Sequence, residues 1–580
     1  MIRTMTALAA LALTTSALAQ TSPPPAAPAP ATPTPAAPPP ATPPRDAATT
    51  NALLTKALPA DQAAMKAHVM FLASDAMKGR EAGSPEFDIA AQYVAAQFYA
   101  AGLRPAGDEG GYLQRVPLVT YKAADKGAMR WTTKDGAAQP LVFGQDFVPS
   151  ANPARAETNV SAPVVFAGRG IVAPQFGIDD YAGVDVRGKI VAIFSGSPTS
   201  FPGEERAYFG SAATKAQLAA ARGAVGIVLL DAPRAGPRQR PFASLAASYD
   251  SPRMTWATPE GVGTSPAATT PVLGTISAAG ATKLFAGSAR PWSAILAQAQ
   301  TDDPRYTAMP LAGTLTATTR TSFVAGASSN VVGIVPGADP VLSKEVVILS
   351  AHLDHIGVSA AKPDDAPGRD RINNGALDNA IGIASLIEEA KRFTANGKPP
   401  RRTVMFLAVT GEEKGLVGSD YFVNHPTVPL ATIAADVNLD MPVLLYRFED
   451  MIAFGADRST LGPIVTKAVN AVGVGLSPDP MPEQGFFVRS DHFNFVRKGI
   501  PSLFLWPGIK GAGKAPFEDF LANRYHRPGD DLTQPILWDQ GVRFVATNYA
   551  IARAIADGPV RPLWNKGDYF GTTYKGPMGK

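Results

Sequence analysis

The chain has 580 residues, 46% of them hydrophobic, with a formal net charge of +4 and no cysteine. That length calls for two or three domains with sizeable cores, and so small a charge with no dense Lys/Arg run excludes a nucleic-acid surface. Without cysteine there is no disulfide, no thiolate metal site, no cysteine nucleophile and no lipid-anchored N-terminal cysteine.

Residues 1–19 read as a signal peptide. Arg3 supplies the positive start, residues 5–13 form an apolar run too short to span a bilayer, and Ala17-Leu18-Ala19 offers small residues ahead of Gln20. Residues 20–50 are mostly Pro, Ala and Thr, a composition that cannot bury a core and forms an extended linker. No later stretch suits a transmembrane anchor, so a bacterial periplasmic or secreted protein is expected.

From residue 60, Met65, Val69 and Leu72, then Ile89, Tyr93, Val94 and Phe98, recur at helical spacing and predict two helices with SDAMKGREAGSPEF between them. His68, within the first, reads as a surface or boundary residue. Beyond residue 151, VSAPVVFAG, DDYAGVDVRGKIVAIF and GAVGIVLLD are short β-rich runs, with a helix over 212–221 before the third. Residues 151–303 contain no histidine and read as a β-rich domain inserted into a catalytic one. The latter then comprises 51–150 and 304–560, with a C-terminal tail at 561–580.

From residue 329, VVGIVPG, EVVILSA, TVMFLAVT, ATIAADVNLD and PSLFLW alternate with helical stretches, one of them over 379–392. Continuous apolar strands separated by helices predict an α/β fold: a mostly parallel mixed sheet flanked by helices. Such sheets place their sites at the carboxyl ends of strands.

Acids and imidazoles stand at those ends. The chain has six histidines, and three lie in AHLDHIG (351–357) and RYHRPGDD (524–531). His352 follows its strand directly, with Asp354 placed to fix its tautomer. Asp378, in NNGALDNAIG, stands at a helix start, as an N-cap or as a carboxylate aimed at the edge where His352 emerges. Glu412 and Glu413 follow TVMFLAVT, and adjacent residues leaving a strand point different ways. One can bind metal while the other takes a proton, unless the pair is only a solvated acidic turn. Asp440 ends ATIAADVNLD, and His526 follows the last strand. Two histidines and three carboxylates beside a spare carboxylate suit zinc, and two cations roughly 3.5–4 Å apart would polarise a carbonyl and acidify a water.

Taken in order, AHLDHIG, NNGALDNAIG, TGEEKGLVGSDYF, NLDMP and RYHRPGDD resemble the co-catalytic zinc exopeptidase family of bacterial leucyl aminopeptidases and glutamate carboxypeptidase-like enzymes. DDYAGVDVRGKIVAIF resembles the protease-associated domain often inserted in such chains, and HVMFLASDAMKGREAGSPEF resembles the family's N-terminal segment. The resemblance implies a zinc exopeptidase fold, peptide substrates and two Zn2+ per chain. It puts His352 and Asp440 on one zinc, Glu413 and His526 on the other and Asp378 between them, with Glu412 as general base and Asp354 in support. The implied reaction is removal of N-terminal residues. A carboxypeptidase or dipeptidase on the same scaffold is the alternative, with Arg489 and Arg524 as candidates for the substrate carboxylate. A one-zinc glutaminyl cyclase or a receptor-like binding protein stands further off, because His352 and Asp378 are intact. In RSDHFNF (489–495), His492 is a candidate substrate contact, or else a structural partner of Asp491. His355 receives no role, His425 reads as a turn residue, and Asp530 as support for the His526 loop or a helix cap. No motif fixes side-chain preference or oligomeric state.

Overall fold

Thr403–Val409, Val346–His352, Ile433–Asn438 and Ser502–Pro507 lie side by side in that order as parallel strands. All four are buried along almost their whole length, as strands covered on both faces must be. They belong to a computed structural model that describes residues 51–580 except 53, 232–240, 302–304, 364 and 396. The expected signal peptide and linker lie outside the described residues. On one side the sheet continues antiparallel into Met309–Val335 and then Leu113–Ala123. On the other it continues antiparallel into Asp450–Phe454. The result is a mixed sheet with a parallel centre.

Helices Ala60–Leu72, Pro85–Ala100, Ile381–Ala395 and Trp538–Asp557 cover one face. Their Val69, Phe98, Ile387 and Ile551 join Val347, Leu349 and Phe406 of the strands in one buried cluster. Helices Val417–Asn424 and His492–Val496 cover the other, setting Phe422 and Phe495 against Ile348, Met405 and Leu407. Each such side chain taken from water contributes about 1.5–3 kcal/mol. Helix Pro85–Ala100 starts where Ser84 Oγ accepts the Phe87 N–H at 3.1 Å, with proline at its first turn.

His68 is not at the surface. It is 4% exposed, with Nδ1 2.8 Å from Tyr93 Oη and Nε2 3.1 Å from Glu388 Oε1. Burial is tolerated because both ring nitrogens find partners, and the ring ties three helices together.

In the insert, Glu157–Phe166, Ile190–Phe194, Gly226–Leu230 and Val272–Ile276 form a second run of parallel strands, preceded at Gly226 by the expected helix, Ala212–Ala220. The first part of Met309–Val335 pairs antiparallel with Glu157–Phe166. One strand of 27 residues therefore serves both sheets. This sharing moves the start of the insert's sheet upstream of residue 151. Leu113–Ala123 pairs with 321–331, and the next strand, Ala128–Thr133, runs on along the same partner at 313–318. Arg253–Trp256 leaves the insert's sheet and pairs with Leu113–Ala123.

Residues 561–580 do not trail away as a tail. Trp564 and Phe570 are 0% exposed, and Trp564 Nε1 donates to the Gly499 carbonyl at 2.8 Å. Their apolar area holds the segment down. Among the described residues, no helix is long and apolar enough to cross a membrane.

Candidate metal centre

Four of the acids and imidazoles singled out above reach one place because their strands are parallel and end together. Val346–His352 delivers His352, Thr403–Val409 leads to Glu412 and Glu413, and Ile433–Asn438 leads to Asp440. Asp378 arrives from the turn before helix Ile381–Ala395, and His526 from the loop after helix Lys514–Asn523.

His352 Nε2 lies 3.0 Å from Asp440 Oδ1 and 3.3 Å from Asp378 Oδ1. The other oxygen of Asp378 lies 3.2 Å from His526 Nε2, which is 3.1 Å from Glu413 Oε2. Ligands held at about 2.0–2.2 Å in a tetrahedron stand roughly 3.3 Å from one another, so these spacings suit donors around an ion. The tautomer fits as well. His352 Nδ1 donates to the Asp354 carbonyl at 3.1 Å, which leaves the Nε2 lone pair for a cation. His352, Asp378 and Asp440 are all buried, and carboxylates so close together call for positive charge among them.

Electrostatics agree. Burial opposes charge on His352, but Asp440 and Asp378 outweigh it and hold its pKa well above the usual imidazole range. His526, likewise opposed by burial, is pushed up to about 10 by Asp378 and Glu413. Burial would raise Asp378, yet His352 and His526 hold it well below the usual carboxylate range. Glu412 goes the other way. Burial raises it well above the ordinary value, His352 opposes, and the charges of Asp440, Glu413 and Asp491 add to the rise.

The surroundings fix each group. Asp354 accepts the Glu412 N–H at 3.0 Å through Oδ1 and the Glu413 N–H at 3.3 Å through Oδ2. Asp530 links the Asp378 turn to the segment after His526, accepting the N–H groups of Leu377 and Asp378 at 3.0 and 2.9 Å and the Gln534 side chain at 2.6 Å. Ser490 Oγ donates to Asp440 Oδ2 at 2.6 Å and accepts from Asn438 Nδ2 at 2.7 Å. Trp506 Nε1 donates to the Asp440 carbonyl at 2.7 Å, and Tyr525 stacks on His526 with ring centroids 3.8 Å apart.

Sequence reasoning missed three residues. Arg80, 0% exposed, donates to the carbonyls of Leu353, Leu72, Asn374 and Gly375, tying the His352 loop to the Asp378 loop. His355, given no role, lies with Nδ1 2.7 Å from Glu413 Oε1 and 4.0 Å from Asp378 Oδ2. Its spacing from His352 in HLDH was the available clue. Ser490 stood within RSDHFNF, where attention went to the histidine.

His492 does not reach the site. It is 0% exposed, and its ring packs against Phe487 and Phe504 at centroid distances of 5.2 and 5.3 Å. Burial brings its pKa down to about 3. His425 caps the end of helix Val417–Asn424 with its ring stacked on Tyr421. Arg524 pairs with Asp519 at 3.2 Å and stays outside the cavity. Arg489 lies on the cavity wall.

That cavity holds about 270 Å³. Asp378, Glu412, Asp440 and His526 line it together with Met441, Phe486, Phe504, Trp506 and Leu521. Ionisable groups thus share the lining with aromatic and aliphatic side chains, the ordinary make-up of a small-ligand site.

Together, the sheet and the cage of histidines and carboxylates at its strand ends define an α/β protein with a metal-hydrolase type of centre. Residues 330–552 match Peptidase family M28 and residues 160–274 match the PA domain, so the chain carries an M28 peptidase region and a PA domain. It is 31% identical over 220 residues to a probable leucine aminopeptidase 2 of Aspergillus oryzae (strain ATCC 42149 / RIB 40), covering 35% of this chain and 40% of that one. It is 30% identical over 198 residues to Leupeptin-inactivating enzyme 1 of Streptomyces exfoliatus, covering 33% and 39%. The chain thus spans about two fifths of the length of these curated relatives. Among solved structures, an aminopeptidase from Aneurinibacillus sp. strain AM-1 aligns over 87% of this chain and 96% of its own, with 19% identity and a TM-score of 0.46.

Proposed function

We propose that the chain is a two-zinc metallo-aminopeptidase that removes N-terminal residues from peptides. His352 and Asp440 would hold one zinc, Glu413 and His526 the other, and Asp378 both. The observation that supports this most is the Asp378 carboxylate, one oxygen facing His352 and the other His526. When bound, zinc supplies Lewis acidity, polarising a carbonyl and acidifying water. Glu412 takes the proton as water adds to the scissile carbonyl carbon, and returns it to the amine as the C–N bond breaks. A carboxyl whose pKa is raised suits a group that must hold a proton between two events. Asp354 keeps Glu412 and Glu413 in register through their backbone N–H groups. The aromatic and aliphatic part of the lining receives the N-terminal side chain, in line with the activity named for the Aspergillus relative. The signal-peptide reading of residues 1–19 supports export to the periplasm or beyond.

A panel of free-amine and N-blocked chromogenic peptides, with and without a chelator, tests the reading. Cleavage of free-amine substrates alone, lost on chelation and restored by zinc, is expected. Equal cleavage of blocked peptides, or release of C-terminal residues, would overturn it. Glu412→Gln should lower turnover by about 10²–10⁴-fold with zinc content unchanged.

A further inference from the structure

Part of the cavity wall is supplied by one loop, residues 484–490. Gln484, Phe486, Arg489 and Ser490 all line the cavity, and Ser490 also holds Asp440. The back of this loop does not rest on the catalytic domain alone. It rests on helix Gly203–Gly210 of the insert, and the fit is close enough to exclude a side chain at two points. A Cβ on Gly203 would lie 1.5 Å from the Pro482 carbonyl oxygen, and one on Gly485, at φ +60°, would lie 2.6 Å from Ala207 Cβ. Arg206 of the same helix donates to the Glu483 carbonyl.

Beside this contact stands Arg458, at the end of the turn Ala456–Arg458 that follows strand Asp450–Phe454. Its Nη2 lies 3.0 Å from Glu204 and 3.1 Å from Glu205, both on the insert's helix, and its Nη1 lies 3.0 Å from Asp568 in the C-terminal segment. Its guanidinium carbon sits 5.4 Å from the ring centre of Phe487 and 4.9 Å from that of Phe570. Phe487 is the neighbour of wall residue Phe486. Glu205 is only 6% exposed, so water screens the pair weakly. One cation therefore joins insert, catalytic domain and C-terminal segment directly behind the wall.

We infer that helix Gly203–Gly210 is the support of the cavity wall, with Arg458 as the positioning residue, so that the inserted domain sets which N-terminal side chains the site accepts. The inference rests on the peptidase reading for its consequence on selectivity, though not for the support itself. A loop pressed against a helix at two glycines cannot keep its shape if that helix shifts, and Phe486 moves with it.

The test compares Arg458→Gln, Arg458→Lys, Glu205→Gln and the Glu204→Gln/Glu205→Gln pair with the parent protein. Hydrogen–deuterium exchange reads residues 481–490, and KM and kcat are measured on substrates with large aromatic and with small N-terminal residues. Arg458→Gln and the double variant should exchange faster at 481–490. Their KM for aromatic substrates should rise about tenfold or more, a misplaced-wall effect, with small substrates much less affected. Arg458→Lys should recover part of the difference. Parental exchange and KM would overturn the inference, and so would a fall in kcat shared by all substrates with selectivity unchanged. Should Arg458→Gln not fold, Glu205→Gln keeps Arg458 paired with Glu204 and Asp568, and its exchange decides. If the parent cleaves no free-amine peptide, the peptidase reading fails while the exchange result still judges the support.

Discussion

Arg80→Met removes a buried guanidinium that donates to four main-chain carbonyls, those of Leu72, Leu353, Asn374 and Gly375. Bonds from a charged donor are worth about 1.5–3 kcal/mol each, so addition gives roughly 6–12 kcal/mol. The cation's own burial offsets much of this. It brings the Arg80 pKa down to about 10 against the pull of Asp378, Asp354, Asp530 and Glu413. What remains is about 3–5 kcal/mol, the usual cost of stripping one partner from a buried ionic network. That is a large share of the roughly 5–15 kcal/mol by which a domain is stable. The loops joined by Arg80 carry Asp354 and Asp378, so metal retention should fall before the fold is lost. Two measurements check this: the denaturation midpoint, and zinc content after dialysis against a weak chelator. Arg80→Lys should fall between, since one ammonium cannot span four carbonyls. An Arg80→Met protein with parental midpoint and parental zinc content would refute the reasoning.

Ser490→Ala leaves Asp440 Oδ2 without its 2.6 Å donor; zinc affinity by chelator competition should drop about 10–100-fold. His492→Phe should fold and turn over substrate at near-parental rates, because the ring lies between Phe487 and Phe504; a large rise in KM would return His492 to the substrate site. Burial pushes Asp479 up to about 6, with Glu204, Glu483 and Asp457 adding to the rise and the Met481 N–H opposing it. Between the ordinary aspartate pKa and about 6 the folded chain keeps a proton that the unfolded chain has released, so stability falls as pH rises through that window. Asp479→Asn lacks this slope, and its thermal midpoint should gain on the parent's as pH rises from 4 to 8.

The sheet was legible because its strands are buried on both faces. TVMFLAV and IAADVN carry no alternation to confuse with a half-exposed strand, and parallel strands ending together bring distant motifs to one edge. Of the ligand candidates, His352, Glu413 and Asp440 stood out because each follows a strand and Asp378 because it opens a helix, whereas His526 comes from a loop after helix Lys514–Asn523. Arg80 was not legible, because its partners are main-chain carbonyls, one eight residues away and the others from two distant segments, and carbonyls leave no mark in a sequence. His492 misled because Asp-His beside an aromatic reads alike in a pocket and in a core; only the tertiary positions of Phe487 and Phe504 tell them apart. The early start of the insert's sheet was hidden by Met309–Val335, whose residues show no break where it passes from one sheet to the other.

That shared strand also governs what can be cut away. Residues 309–320 pair on one side with Glu157–Phe166 and at 313–318 with Ala128–Thr133. Deleting 160–274 would leave this stretch with a row of unmatched N–H and C=O groups, a template for pairing with another chain. Such a truncation would report precipitation rather than the insert's contribution to catalysis. The two domains are not separable in backbone, and the insert is best questioned one side chain at a time.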